Sequence, residues 1–436
     1  PPPGQVRLRP SRRVRLVGLL GASIGDVARP LADEQFRRLW LSTFAWNFAR
    51  WMEMTITSWV ALQLTGSPWL VALTGVSRSA FLPVAGPITG ALADRFDRVS
   101  LMKAAQWGNV LVIGAVAAAL LAGRGAYWQL VVASLWLGAS WGIDWPSRRS
   151  LMADLVGPER VLQAVVLDNW TQNASRITGP LLGGLLLALW GGPGAFTALA
   201  LSFLLASVSL TPLRVGSGML RHAGRSVWRE MAAGLAYVRQ DTAVWAVLTI
   251  TVLMNCLLFP YQQLLSVFAE RVLEVGPVGL GYMGAANGAG AVLALLLLPR
   301  LRSQRWQGWA FAGGSCLACV TLALFAGSTS FPLSLMLLVA TGLGTSAFGT
   351  MQSTIILTRA APAMRGRAMG LLAMAIGSAP LGALETGILV ERLGAPLAVG
   401  VNATLCGALV AGVALRVRLG TAPRPMQAVQ AKAASA

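Results

Sequence analysis

The predicted fold class is an all-α polytopic membrane protein: twelve transmembrane helices in two pseudo-symmetric six-helix halves. Composition points there first. Of 436 residues, 55% are hydrophobic and 12% charged, with a mean hydropathy of +0.64; a soluble domain carries about twice that charge. Apolar runs near the roughly 20 residues needed to cross a bilayer recur along the chain. They are continuous, unlike the alternating strands of a membrane barrel. Cations fall mostly to one side of these runs: 29 of the 35 lysines and arginines precede the first run, occupy alternate loops or lie in the tail.

Taken in order, the spans are expected at about 42–64, 69–92, 104–122, 126–148, 161–189, 193–213, 242–269, 276–298, 307–327, 331–357, 367–390 and 394–415. The stretch from Trp306 to Thr358 holds no charge and is too long for one span; it divides at "GSTSFP", where Gly, Ser and Pro supply a turn. Only Arg124, Arg271 and Arg392 lie in loops on the opposite side. Because Lys and Arg favour cytoplasmic loops, both termini are expected inside and the chain in the cell inner membrane. That bias, together with contact with anionic lipid, accounts for the net charge of +19. No basic patch interleaved with aromatic residues suggests nucleic acid as a partner.

Domain boundaries follow. Residues 1–41 form a basic cytoplasmic arm, in which "SRRVR" faintly resembles a twin-arginine signal. A first six-helix bundle covers 42–213 and a second 242–416. Between them, 214–241 is a cytoplasmic linker whose "RSVWREMAAGLAYVRQ" has the pattern of an amphipathic surface helix. The tail, 417–436, is low in complexity and expected to be disordered. Cys256, Cys316, Cys319 and Cys406 fall in apolar spans, so neither disulfides nor a metal site are expected, and no cofactor is. An internal duplication is visible: "ITGPLLGG" with Pro180 is echoed by "GSAPLGAL" with Pro380. Two such halves related by an axis along the membrane normal are a known transporter plan.

A knot of charge, "GALADRFDR", separates spans two and three. Gly86 and Gly90 form a small-x-x-x-small face there that lets helices approach closely. The stretch resembles the signature of the major facilitator superfamily. "FRRLWLSTF", "GIDWPSRRSLMADLVGPER" and "LDNWTQNASRITGPLLGG" resemble its drug-efflux and siderophore-exporter branch, so the resemblance covers about 34–416. It implies a conformational latch, in which the Asp matching Asp94 caps span eleven in the outward-facing state. Arg95 and Arg98 would then bridge toward Asp144, with Arg148 a further partner. An ordinary positive-inside loop would explain the arginines but not Asp94 and Asp97. Asp97 departs from the family's usual small residue, and the family's arginine in the middle of span four is absent. "GPLLGG", with Gly179, Pro180, Gly183 and Gly184, resembles the antiporter motif of span five; helix packing alone is the other reading of it.

Substrate chemistry is expected among buried polar groups, since a charge at the bilayer centre costs roughly 3 kcal/mol on insertion scales. Arg50, Glu53, Arg78, Asp168, Arg176 and Glu385 lie inside spans. Asn47, Arg50, Glu53 and Thr57 recur on one face of span one. The resemblance implies a central path lined by spans one, four, seven and ten. Glu53 is the first candidate for proton coupling, with a static Arg50–Glu53 pair as the alternative; Asp168 is the second. The sole histidine, His222, lies in the linker. Three intramembrane arginines favour an anionic or amphipathic substrate. Asn169, Asn255, Tyr261, Gln262 and Gln263 offer further hydrogen bonds, and Trp136, Trp141 and Trp145 an aromatic wall.

The expectation is therefore a secondary active exporter of a small organic molecule, working by alternating access in exchange for protons and functional as a monomer in the bilayer. No phosphate-binding loop indicates a nucleotide energy source, and no metalloprotease or nucleophile-elbow motif indicates an enzyme. Proton-coupled uptake, uniport, or a transport-inactive sensor or scaffold are the alternatives.

Overall fold

The computed structural model describes residues 29–81, 97–157, 159–213, 241–298, 304–360 and 364–417, all helical or in short connections, with no strand among them. In chain order the helices are α1 (Glu34–Thr65), α2 (Pro68–Ser79), α3 (Arg98–Leu121), α4 (Tyr127–Val156), α5 and α6 (the two arms of Val161–Leu210), α7 (Thr242–Val272), α8 (Gly276–Leu297), α9 (Gln304–Ala326), α10 (Phe331–Arg359), α11 (Arg365–Leu393) and α12 (Ala395–Val417). The amphipathic linker helix lies outside the described residues.

Eight described helices are long and apolar enough to cross a membrane, Val161–Leu210 counted as one. That helix has 50 residues and leaves helical geometry at Gly191, whose φ of 63° suits glycine; its length serves two passes. Polar and charged side chains keep α1 and α4 out of this set, and those side chains build the site. Apolar residues also face outward, as lipid requires: Leu111 is 71% exposed and Leu415 78%. Trp128, Trp190, Trp306 and Trp309 are exposed near helix ends, where the amphipathic indole suits a membrane interface.

Several boundaries differ from the sequence expectation. α1 begins at Glu34, eight residues before 42, because Asp33 caps it by accepting from the Phe36 amide at 2.8 Å. α7 contains two π-helical turns, Met254–Leu258 and Phe268–Val272, flanking Pro260. The duplicated prolines behave differently: Pro180 lies within continuous helix, whereas Pro380 opens the second part of α11 after a break at Gly377 and Ser378.

Small residues decide which helices touch. Gly179 and Gly183 face α1 at Trp51, Met52 and Thr55. Gly184 faces the other way, its backbone against Pro277 and Gly281 of α8, while Gly284 receives Pro180 and Gly288 lies against the Arg176 carbonyl. One motif thus packs α5 on α1 within its own half and on α8 across the halves. Further contacts between halves lie at the end opposite the termini: Gln63 Nε2 donates to Glu270 Oε1 at 2.7 Å, Arg271 Nη2 donates to the Gly66 carbonyl at 2.5 Å, and Trp69 packs on Gly387.

A side chain at position 184 must therefore push α5 from α8. Gly184→Val is expected to destabilise the protein by about 1–3 kcal/mol in unfolding from mixed micelles. Gly313→Ala, with open space at its Cβ position, should leave the transition in place.

Candidate functional site

Charged side chains converge midway along the helices. Glu53 is 2% exposed; its Oε1 accepts from Thr57 Oγ1 at 3.0 Å and its Oε2 forms an ion pair with Arg78 Nη1 of α2. The static Arg50–Glu53 pair is thus replaced by a pair between helices. The two residues are three positions apart on α1, but Arg50 turns toward aromatic rings instead. Its guanidinium carbon lies 4.8 Å from the Trp141 ring centre and 5.7 Å from that of Trp51. Arg176 stacks on Trp51 at 5.3 Å. Such contacts favour a cation without neutralising it.

Neither Arg50 nor Arg176 has a carboxylate within ion-pair distance among the described residues, and the Nε of each is buried without a hydrogen-bond partner. Arg176 Nη2 donates to Asn287 Oδ1 at 3.1 Å, and Asn287 Nδ2 donates to the Tyr261 hydroxyl at 2.7 Å. This chain joins α5 of the first half to α8 and α7 of the second. A narrow cleft opens beside it, lined by Trp51, Thr55, Ser58, Arg176, Tyr261, Gln262 and Asn287 among others. Three guanidinium groups face one carboxylate, which leaves two positive charges uncompensated. What this arrangement can do is hold an anion with an aromatic or apolar body.

Closer to the termini lies a second, small cavity, lined by residues of the first half that include Trp40, Asn47, Trp145, Arg148, Arg149, Asp168 and Gln172. Arg148 binds Asp144 through two bonds, 2.8 and 3.2 Å, and donates to Ser42 and Thr43 at 3.2 and 3.0 Å. It ties α4 to α1. Asp168 accepts from Gln172 at 2.8 Å.

Of the expected latch, Gly90, Asp94 and Arg95 lie outside the described residues, as does the Arg98 side chain; Asp144 and Arg148 meet each other. Among cavity candidates, Arg50, Arg78 and Arg176 come together and Gln262 joins them, but three others do not. Asn47 lines the second cavity. Asn169 is exposed on α5, seven residues or roughly 10 Å from Arg176. Asn255 donates to the Thr251 carbonyl at 2.8 Å within a π-helical turn. Trp141 stacks on Arg50, whereas Trp145 stacks on Arg149 in the second cavity. The site also draws on α2, α5 and α8, beyond the expected one, four, seven and ten. Sequence reasoning missed Trp51 and Asn287. Asn287, an amide amid "GYMGAANGAG", carried the only available signal.

The family described as transmembrane secretion effector matches residues 26–434. Among relatives, the chain is 27% identical to YfiS of Bacillus subtilis strain 168, an uncharacterized MFS-type transporter, over 84% of this chain and 88% of that one. It is 24% identical to the enterobactin exporter EntS of Shigella flexneri over 81% and 85%, and 21% identical to macrolide efflux protein A of Streptococcus pyogenes over 76% and 83%. A POT family transporter bound to 5-aminolevulinic acid shares the fold with a TM-score of 0.72 at 11% identity, covering 89% of this chain and 96% of that one. So does a bacterial homologue of the lysosomal transporter Spinster, with a TM-score of 0.67 at 13% identity, covering 88% and 96%.

The ion pair yields its own test. Glu53→Gln is expected to cost about 3 kcal/mol in mixed-micelle unfolding, because it strands Arg78. Adding Arg78→Gln should recover most of the loss; additive losses would show that the two side chains do not act as a pair.

Proposed function

Because the chain belongs to the transmembrane secretion effector family, within the major facilitator superfamily, we propose that it exports a small anionic or amphipathic organic molecule across the inner membrane in exchange for protons. The chain is a multi-pass membrane transporter and not an enzyme. The observation that carries the proposal is the surplus of arginine in the buried cluster: uncompensated guanidinium groups beside aromatic rings suit a carboxylate or phenolate on an apolar body. Relatives named as an enterobactin exporter and a macrolide efflux protein support the direction of transport and a small organic substrate.

In this account the bundles 42–213 and 242–416 rock about the cluster, the protein acting as a monomer with both termini in the cytoplasm. The contacts of Gln63 with Glu270, Arg271 with Gly66 and Trp69 with Gly387 close the outer end, so this conformation receives substrate from inside. Opening outward breaks them, and the knot formed by Gly90, Asp94, Arg95 and Arg98 with Asp144 then holds the inner end. Glu53 carries the proton: its protonation frees Arg78, and its ionisation restores the pair. Asp168 is the alternative carrier nearer the inner mouth.

Proton flux in proteoliposomes with an internal pH dye, challenged with anionic, neutral and cationic amphiphiles, tests this reading. Anions should stimulate flux in the native protein, and Glu53→Gln should reduce it at least tenfold. Stimulation confined to cations would contradict the substrate class. Flux that persists in Glu53→Gln would move the carrier role to Asp168.

A further inference from the structure

Glu53 is the cluster's only carboxylate among the described residues, and the cluster remains cationic in both of its protonation states. With Glu53 ionised, Arg78 is neutralised while Arg50 and Arg176 are not. With Glu53 protonated, all three guanidinium charges stand uncompensated. The charges also act on one another, Arg50 on Arg78 and Arg176 on Arg50. A carrier that has released an organic anion must close around this cluster to return, and closing withdraws any remaining water from charges that have no counter-ion. Stacking on Trp51 and Trp141 does not supply negative charge, nor does the amide of Asn287.

We propose that a compact inorganic anion occupies the Arg50–Arg176 site on the return limb, so that the protein exchanges its organic substrate for a proton together with chloride or phosphate. The inference rests on the export reading above and adds a second ligand to the same site. Unmet donors are present: the buried Nε atoms of Arg50 and Arg176 lack acceptors, the two guanidinium carbons lie 5.7 and 5.3 Å from the Trp51 ring centre, and Arg176 lines the cleft with Tyr261 and Asn287. The Tyr261 hydroxyl, which accepts from Asn287, leaves its own proton available to an anion beside it. Protonation of Glu53 strengthens this binding because it adds the Arg78 charge. A proton and an inorganic anion therefore load together, and an organic anion competes with the inorganic one for the same guanidinium groups.

Chloride and phosphate are the probes. Purified full-length protein in nanodiscs is titrated with sodium chloride or sodium phosphate against sodium gluconate at constant ionic strength, with tryptophan fluorescence reporting on Trp51 and Trp141. Saturable binding is expected, at least fivefold tighter at low pH than at high pH. It should be weakened at least tenfold in Arg176→Gln, retained in part in Arg176→Lys, and unchanged in the loop variant Arg124→Gln. The two titrations distinguish halide from phosphate. In proteoliposomes, uptake of radiolabelled chloride or phosphate should be accelerated by the same anion on the far side. No saturable response to either anion, or a response unaltered in Arg176→Gln, overturns the proposal. Should either arginine variant fail to fold, competition in the native protein decides: an anionic amphiphile must raise the apparent dissociation constant of the inorganic anion. Binding of amphiphiles alone would overturn this inference and leave the export reading standing. Inorganic exchange with no export of any organic anion would do the reverse.

Discussion

Burial of positive charge in a medium that solvates it poorly is the constraint on which the rest of this structure depends. Buried arginine is costly, roughly 3 kcal/mol for each one inside the membrane, and the protein accommodates it three ways. Arg78 is paired with Glu53 across two helices, Arg148 with Asp144 within one, and Arg50 and Arg176 are stacked on indole rings and left without a counter-charge. The first ties α1 to α2, and Arg148, held by Asp144, ties α4 to α1 through Ser42 and Thr43. The third leaves the molecule a reason to bind something.

Helix packing positions that third group. Gly179 and Gly183 bring α5 close to α1, and Gly184 brings it close to α8, so Arg176 projects between the halves and reaches Asn287. A single glycine-rich turn thus sets both the cohesion of the first half and its contact with the second. The motif reads as packing and as function at once, because the close approach of helices is what aims the arginine. At the end opposite the termini, the polar contacts of Gln63 and Arg271 are exposed, so each contributes little to stability.

Much of the fold was legible in the sequence, since continuous apolar runs and one-sided cations mark spans whatever their neighbours. Glu53, Arg50, Arg78 and Arg176 were also legible, because charge inside an apolar run is rare enough to stand out. Their partners were not. Periodicity places Arg50 and Glu53 on one face of α1 but carries no information on which helix lies opposite, so the pairing with Arg78, 25 positions away, required the tertiary structure. Trp51 read as an ordinary apolar residue and Asn287 as a stray amide among small residues. Asn169 failed for a related reason: membership of α5 says nothing of depth, and it lies two turns from the cluster. The unequal outcome at Pro180 and Pro380 shows that similar local strings can build continuous helix in one half and a break in the other.

The most direct test of the central claim, that the arginine surplus selects an anion, is calorimetric binding of a matched series: one aromatic body carrying a carboxylate, a neutral amide or an ammonium group. The account predicts binding by the carboxylate at least tenfold tighter than by the other two, and loss of that preference in Arg50→Gln. Equal binding by all three, or preference for the ammonium, would contradict it.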